Sequence, residues 1–132
     1  MLKRSVIFIV IVLVLISFSR LTEGQDKNIS QSIDPAHFYI NKIIYYCGLL
    51  HLNHHQMNDG QYSSLITKLD NAYSSVNKIK YKAALGQLTG FRHQFEAFCK
   101  SGKIDTDHPV IKRIVESIFR NVNWAIEYLS TA

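Results

Sequence analysis

The chain has 132 residues and a formal net charge of +5, a length that suits a single domain. Lys3, Arg4 and Arg20, with Glu23, all precede Gln25, and without them the charge falls to +3. The only dense basic cluster is Lys78, Lys80 and Lys82, which reads as a solvated helix start rather than a nucleic-acid site, and there is no strand pattern, solenoid-length repeat or low-complexity tract.

Residues 1–24 read as a signal peptide. Met1 to Arg4 carries two positive charges, and Ser5 to Ser19 is an uncharged apolar run of 15 residues. A basic start and a short apolar core are the layout of a secretory signal, and a helix crossing a bilayer needs about 20 residues. Cleavage is expected after Ser19 or Gly24. The rival reading is an uncleaved anchor, with Leu21 extending the run and Arg20 snorkelling to the headgroups. On either reading the folded part crosses a membrane, so the expected location is secreted or periplasmic. Membrane attachment is expected only through an uncleaved N-terminal segment. Residues 25–33 are polar and patternless and read as a flexible lead-in. Asn28-Ile29-Ser30 within them is a glycosylation sequon.

Four helices are predicted over residues 34–131. Asp34-Pro35 is an N-cap followed by proline at the first helical position. Ile40, Ile43, Ile44, Cys47 and Leu50 then form an apolar stripe. The helix should fade within 51–57, and Asn58-Asp59-Gly60 reads as a turn. The second helix spans about 61–76 with Tyr62, Leu65, Leu69, Ala72 and Val76 on one face. The third spans about 80–100 with Ala84, Leu88, Phe91, Phe95 and Phe98, and stops at Gly102, a natural residue for a left-handed helix end. Gly86 and Gly90 inside it suggest close approach of a bulky ring. Asp105 to Pro109 restarts the chain, with Thr106 or Asp107 as cap. The fourth helix carries Ile111, Ile114, Val115, Ile118, Val122, Ala125 and Leu129. Three and four-residue spacing places each set on one helical face, so the fold class is all-α, an up-down four-helix bundle preceded by a signal peptide.

The run of Ser64-Leu65, Lys68-Leu69, Ala72, Ala84, Leu88, Phe91 and Gly102-Lys103-Ile104 resembles the FIMAH-type helical module found near the C-terminal ends of secreted and surface proteins of prokaryotes. The resemblance covers roughly residues 60–129. It implies a non-catalytic accessory or interaction domain and carries over no catalytic residue. The two cysteines, the histidines and the lack of an attached enzyme domain depart from the family's pattern.

Cys47 and Cys99 are an even pair in an oxidising compartment, which favours one disulfide. Against it, parallel helices with flush ends would leave the sulfurs offset by roughly 10 Å along the axis. Both readings stand at this level. His51, His54 and His55 have the i, i+3 and i, i+4 separations by which a helix presents paired ligands, the basis for a zinc, copper or haem site. The plainer reading is histidines at a fraying helix end, and HxxHH lacks the glutamate of a metalloprotease. No triad, phosphate loop or paired carboxylate is present, so no catalytic residue is named and the chain is expected not to be an enzyme. Tyr39 and Tyr46 fall off the main stripe of the first helix, where exposed tyrosines would form a protein-binding surface. The expected function is a small exported bundle acting as a protein-interaction or accessory module, with an unknown protein partner and no nucleic acid. The alternatives are a histidine-based metal or haem carrier and a carrier of an apolar ligand between the helices.

Overall fold

Asp34 caps the first helix. Its carboxylate accepts a hydrogen bond from the Ala36 N–H at 2.9 Å, and Pro35 follows at the first helical position, where its missing N–H costs nothing. The computed structural model describes residues 34–132. The signal peptide and lead-in expected over residues 1–33 lie outside them.

Four α-helices follow: α1 (Pro35–Gly48), α2 (Asp59–Asn77), α3 (Tyr81–Lys100) and α4 (Pro109–Thr131). No strand occurs among the described residues. Short connections send the chain back and forth, and the helices close into a ring in which α1 packs most extensively on α4 and α2 on α3, with lighter contact between α1 and α2 and between α3 and α4. This is the up-down four-helix bundle that the apolar spacing predicts. Each stripe reaches the common core: Ile40, Ile43 and Cys47 from α1, Leu65 and Leu69 from α2, Leu88, Phe91 and Phe95 from α3, and Ile118 and Val122 from α4 are all buried. Removing their apolar surface from water, at ~25 cal/mol per Å², is the main stabilising term.

Among the described residues the buried Ser75 and Asn121 are both paired, whereas the buried Nε2 of half-buried His37 has no hydrogen-bond partner. Ser75 donates to Gln87 Oε1 at 2.9 Å, and Asn121 donates to the Ser117 carbonyl at 2.8 Å. That pairing avoids the desolvation penalty of an unsatisfied buried group.

Two connections differ from the sequence expectation. Asn58-Asp59-Gly60 is a helix start, not a turn. The Asn58 side chain accepts from the Gln61 N–H at 2.8 Å, and Gln61 Oε1 accepts from the Asn58 N–H at 3.0 Å, a reciprocal capping box. The cap of α4 is His108, whose Nδ1 accepts from the Val110 N–H at 3.3 Å, rather than Thr106 or Asp107. Gly102 does end α3 as expected, with φ of +80°. The chain then turns back so that Ile104 is buried in the core.

The expectation for Gly86 and Gly90 fails. A side chain built at Gly86 would meet nothing within 4 Å, and at Gly90 only the end of Lys68 at 3.9 Å. Neither glycine makes room for a ring.

Candidate recognition surface

The outer face of α1 is built from residues that its apolar stripe leaves over. Phe38 and Tyr45 are one turn and three turns into the helix, seven residues apart, and so share a face. Phe38 is 56% exposed and Tyr45 58%, and Trp124 of the neighbouring α4 is 47% exposed. Singly exposed apolar residues such as Leu52 and Ile79 are ordinary, whereas neighbouring exposed rings mark a candidate interaction site. Tyr39 is half-buried and links the two helices: its ring lies 5.9 Å from Phe38 and 5.8 Å from Trp124. Tyr46 packs edge-on against Tyr45 at 5.4 Å. The two tyrosines singled out from sequence are thus the half-buried supports of the patch, while Phe38, Tyr45 and Trp124 present the exposed rings.

Two cations lie on these rings. Lys42 Nζ is 5.0 Å from the Phe38 centroid, and the Arg120 guanidinium is 6.0 Å from that of Trp124. Both fall within cation–π range. From Pro35 to Asn58 the chain contains no Asp or Glu, so nothing on α1 or the connection after it neutralises Lys42. On α4, Glu116 and Glu127 are exposed within one turn of Arg120 and Trp124.

The histidine cluster takes a different form from a ligand set. After Gly48 the helix widens into a π-helical turn, Leu49–Asn53, closed by a hydrogen bond from the His54 N–H to the Leu49 carbonyl at 3.2 Å. The wider turn breaks the 3.6-residue register on which shared-face spacing depends. His51 then folds back: its Nδ1 donates to the Met57 carbonyl at 2.9 Å, and its Nε2 lies 3.0 Å from Asp59 Oδ1. Its ring stacks on Tyr62, centroids 4.3 Å apart. His54 closes the turn and His55 lies exposed beyond it in the left-handed region, with φ of +52°. The π-helical turn and the fold-back of His51 thus place His51, His54 and His55, the grouping considered for zinc, copper or haem, differently from paired ligands on one helical face. Among the described residues no three His, Cys, Asp or Glu side chains come together to hold a metal ion.

The Cys47–Cys99 disulfide is also corrected. Both thiols are free and are not within bonding distance. The helices that carry them, α1 and α3, lie across the bundle from each other rather than side by side. Cys47 is fully buried, and burial pushes its thiol up to about 12; Cys99 is half-buried and is pushed up to about 11, by burial first and then by Glu96. Tyr62 packs near Gly48, and its hydroxyl is raised above the ordinary phenol value by burial, then by Cys47 and Asp70.

At the opposite end of α1, Asp34 serves a second purpose beyond its cap. Tyr81 donates to Asp34 Oδ2 at 2.8 Å, a bond that raises the Tyr81 hydroxyl above its ordinary value and ties the start of α1 to the start of α3.

No protein family model, no curated protein and no solved structure matches the chain. Leu65, Leu69, Ala72, Ala84, Leu88 and Phe91, which carry the resemblance to the FIMAH-type module, are all buried packing residues, the kind that many helical bundles share.

Proposed function

We propose that this chain is a non-catalytic recognition or accessory module of the extracytoplasmic space, acting through the aromatic face shared by α1 and α4. The observation that carries the reading is the exposure of Phe38, Tyr45 and Trp124, with Tyr39 packed between Phe38 and Trp124, Tyr46 against Tyr45, and a cation over each of Phe38 and Trp124. Aromatic rings and arginine are the residue types enriched at protein interfaces and at their energetic centres. The chemistry elsewhere favours the same reading. Cys47 is buried with its thiol pushed up to about 12, which makes it a poor nucleophile at neutral pH.

A photo-crosslinking residue at position 45, in protein recovered from the exported fraction, tests the proposal. One recurrent protein adduct is expected there and none from position 83, an exposed alanine on α3. Adducts equally frequent at both positions, or none at 45, contradict it.

A further inference from the structure

We infer that His51 is held as the imidazolium in the folded chain and acts as a proton-gated latch between the end of α1 and the first turn of α2.

Both of its ring nitrogens face atoms that can only accept. Nδ1 lies 2.9 Å from the Met57 carbonyl oxygen, and Nε2 lies 3.0 Å from Asp59 Oδ1. A carbonyl and a carboxylate bring lone pairs and no proton, while a neutral imidazole has a single N–H to serve its two nitrogens. In the neutral ring one contact therefore sets lone pair against lone pair; the imidazolium fills both. The stack on Tyr62, at 4.3 Å between centroids, holds the ring in the plane where both contacts are made.

The groups around the joint leave that proton to Asp59. Among the described residues His51–Asp59 is the only ion pair. Tyr62 on α2 and the buried Cys47 on α1 are both raised above their ordinary values and stay neutral. The connection before α4 comes close through Asp105, whose N–H donates to Gln56 Oε1 at 2.7 Å, and it carries Asp107 as well. The helix α4 also packs on the π-helical turn, and Lys112, Arg113 and Glu116 are exposed on it; neither they nor His54 and His55 are bonded to the His51 ring.

The bound form is the charged one, so the latch is complete in mildly acidic solution and is lost as pH rises through the histidine range. When Nε2 gives up its proton, Nδ1–H keeps Met57 and the link to α2 is what opens. Asp59 is fully exposed, so water screens the pair and the effect is modest. Other histidines act in the opposite sense: His108 Nδ1 accepts from the Val110 N–H, and the buried His37 Nε2 has no partner, so both suit the neutral ring. Global stability mixes these effects, and a local readout separates them.

Nitrogen NMR of the histidine-labelled chain, with His51 assigned through its contact with the Tyr62 ring, gives the first test. At neutral pH both His51 nitrogens are expected at the shift of a protonated nitrogen; a lone-pair shift at Nε2 overturns the proposal. Amide exchange gives the second. The His54 and Gln56 N–H groups bond the Leu49 and Leu50 carbonyls across the joint at 3.2 and 2.9 Å. Corrected for the intrinsic pH dependence of exchange, their protection should fall by about threefold or more between about pH 6 and pH 8, and Asp59→Asn should flatten that fall. A fall of the same size in Asp59→Asn, or no fall in the unaltered chain, overturns the latch. Circular dichroism establishes that the variant folds, and where it does not, Asp59→Ser carries the same comparison.

Discussion

The ring of His51 lies flat on that of Tyr62, with planes 12° from parallel, and this stack locks the π-helical turn to the start of α2. The same imidazole donates to the Met57 carbonyl, so one side chain holds both ends of the connection between the first two helices. Replacing His51 by Ala removes the bond and the stack, with an expected loss of about 1–2 kcal/mol. Urea unfolding checks this, as a lower midpoint at an unchanged slope. No change in midpoint would show that the connection is held by other contacts.

Two positions carry residues that oppose their backbone. Ile79 adopts φ of +58° and is 75% exposed. A β-branched residue in the left-handed region costs on the order of 1 kcal/mol or more, and burial does not repay it here. Gly86 sits inside α3 with open space where a Cβ would lie. Ile79→Gly and Gly86→Ala are each expected to stabilise the fold by about 0.5–1 kcal/mol. Both are read as a higher melting temperature, and because the sites are on different elements the gains should add.

The Cys47 thiol gives the stability a signed dependence on pH. Its folded value of about 12 stands above the ordinary 9.0, so the native state keeps a proton that the unfolded chain releases. The contribution is intact below about pH 9 and is lost as pH rises toward 12, by up to ~1.4 kcal/mol per pH unit. Cys47→Ala lacks this term and costs about 1 kcal/mol at neutral pH. The gap between the two proteins should therefore shrink above about pH 9; a gap constant to pH 11 would contradict the assigned burial. Reductant should leave the melting temperature unchanged, because no disulfide is present.

The placement of the three histidines predicts a weak response to metal. Both His51 nitrogens face partners within the chain, so stoichiometric zinc or copper is expected to leave the melting temperature of untagged protein unchanged. A ligand that binds the native state tightly raises it by mass action, and a rise of that kind would restore the carrier reading.

The core was legible in the sequence because burial leaves a periodic record. Every apolar position assigned to α4, from Ile111 to Leu129, is buried, and Asp34-Pro35 announces its helix start by chemistry that needs no tertiary contact. The connections were less legible. Asn58 and Gln61 form a capping box, yet Asn-Asp-Gly is also a strong turn signal, and the tertiary contact of His51 with Met57 and Tyr62 decides between them. The π-helical turn leaves no periodic mark at all. For the recognition face, sequence pointed to Tyr39 and Tyr46 through their distance from the stripe, but half-burial beside Trp124 and Tyr45 makes them supports. Phe38 carries no signal of its own in the sequence, because one ring off the stripe is unremarkable until the fold sets Tyr39 between it and Trp124.

Trp124 is the chain's single tryptophan, and it stands on the proposed face, so its emission reports occupancy directly. Titrating the purified chain with the protein that crosslinks at position 45 should shift that emission in a saturable way, and Tyr45→Ser should weaken the response while the helical spectrum stays intact. An emission unchanged at saturating partner, or a shift that Tyr45→Ser leaves untouched, would contradict the account.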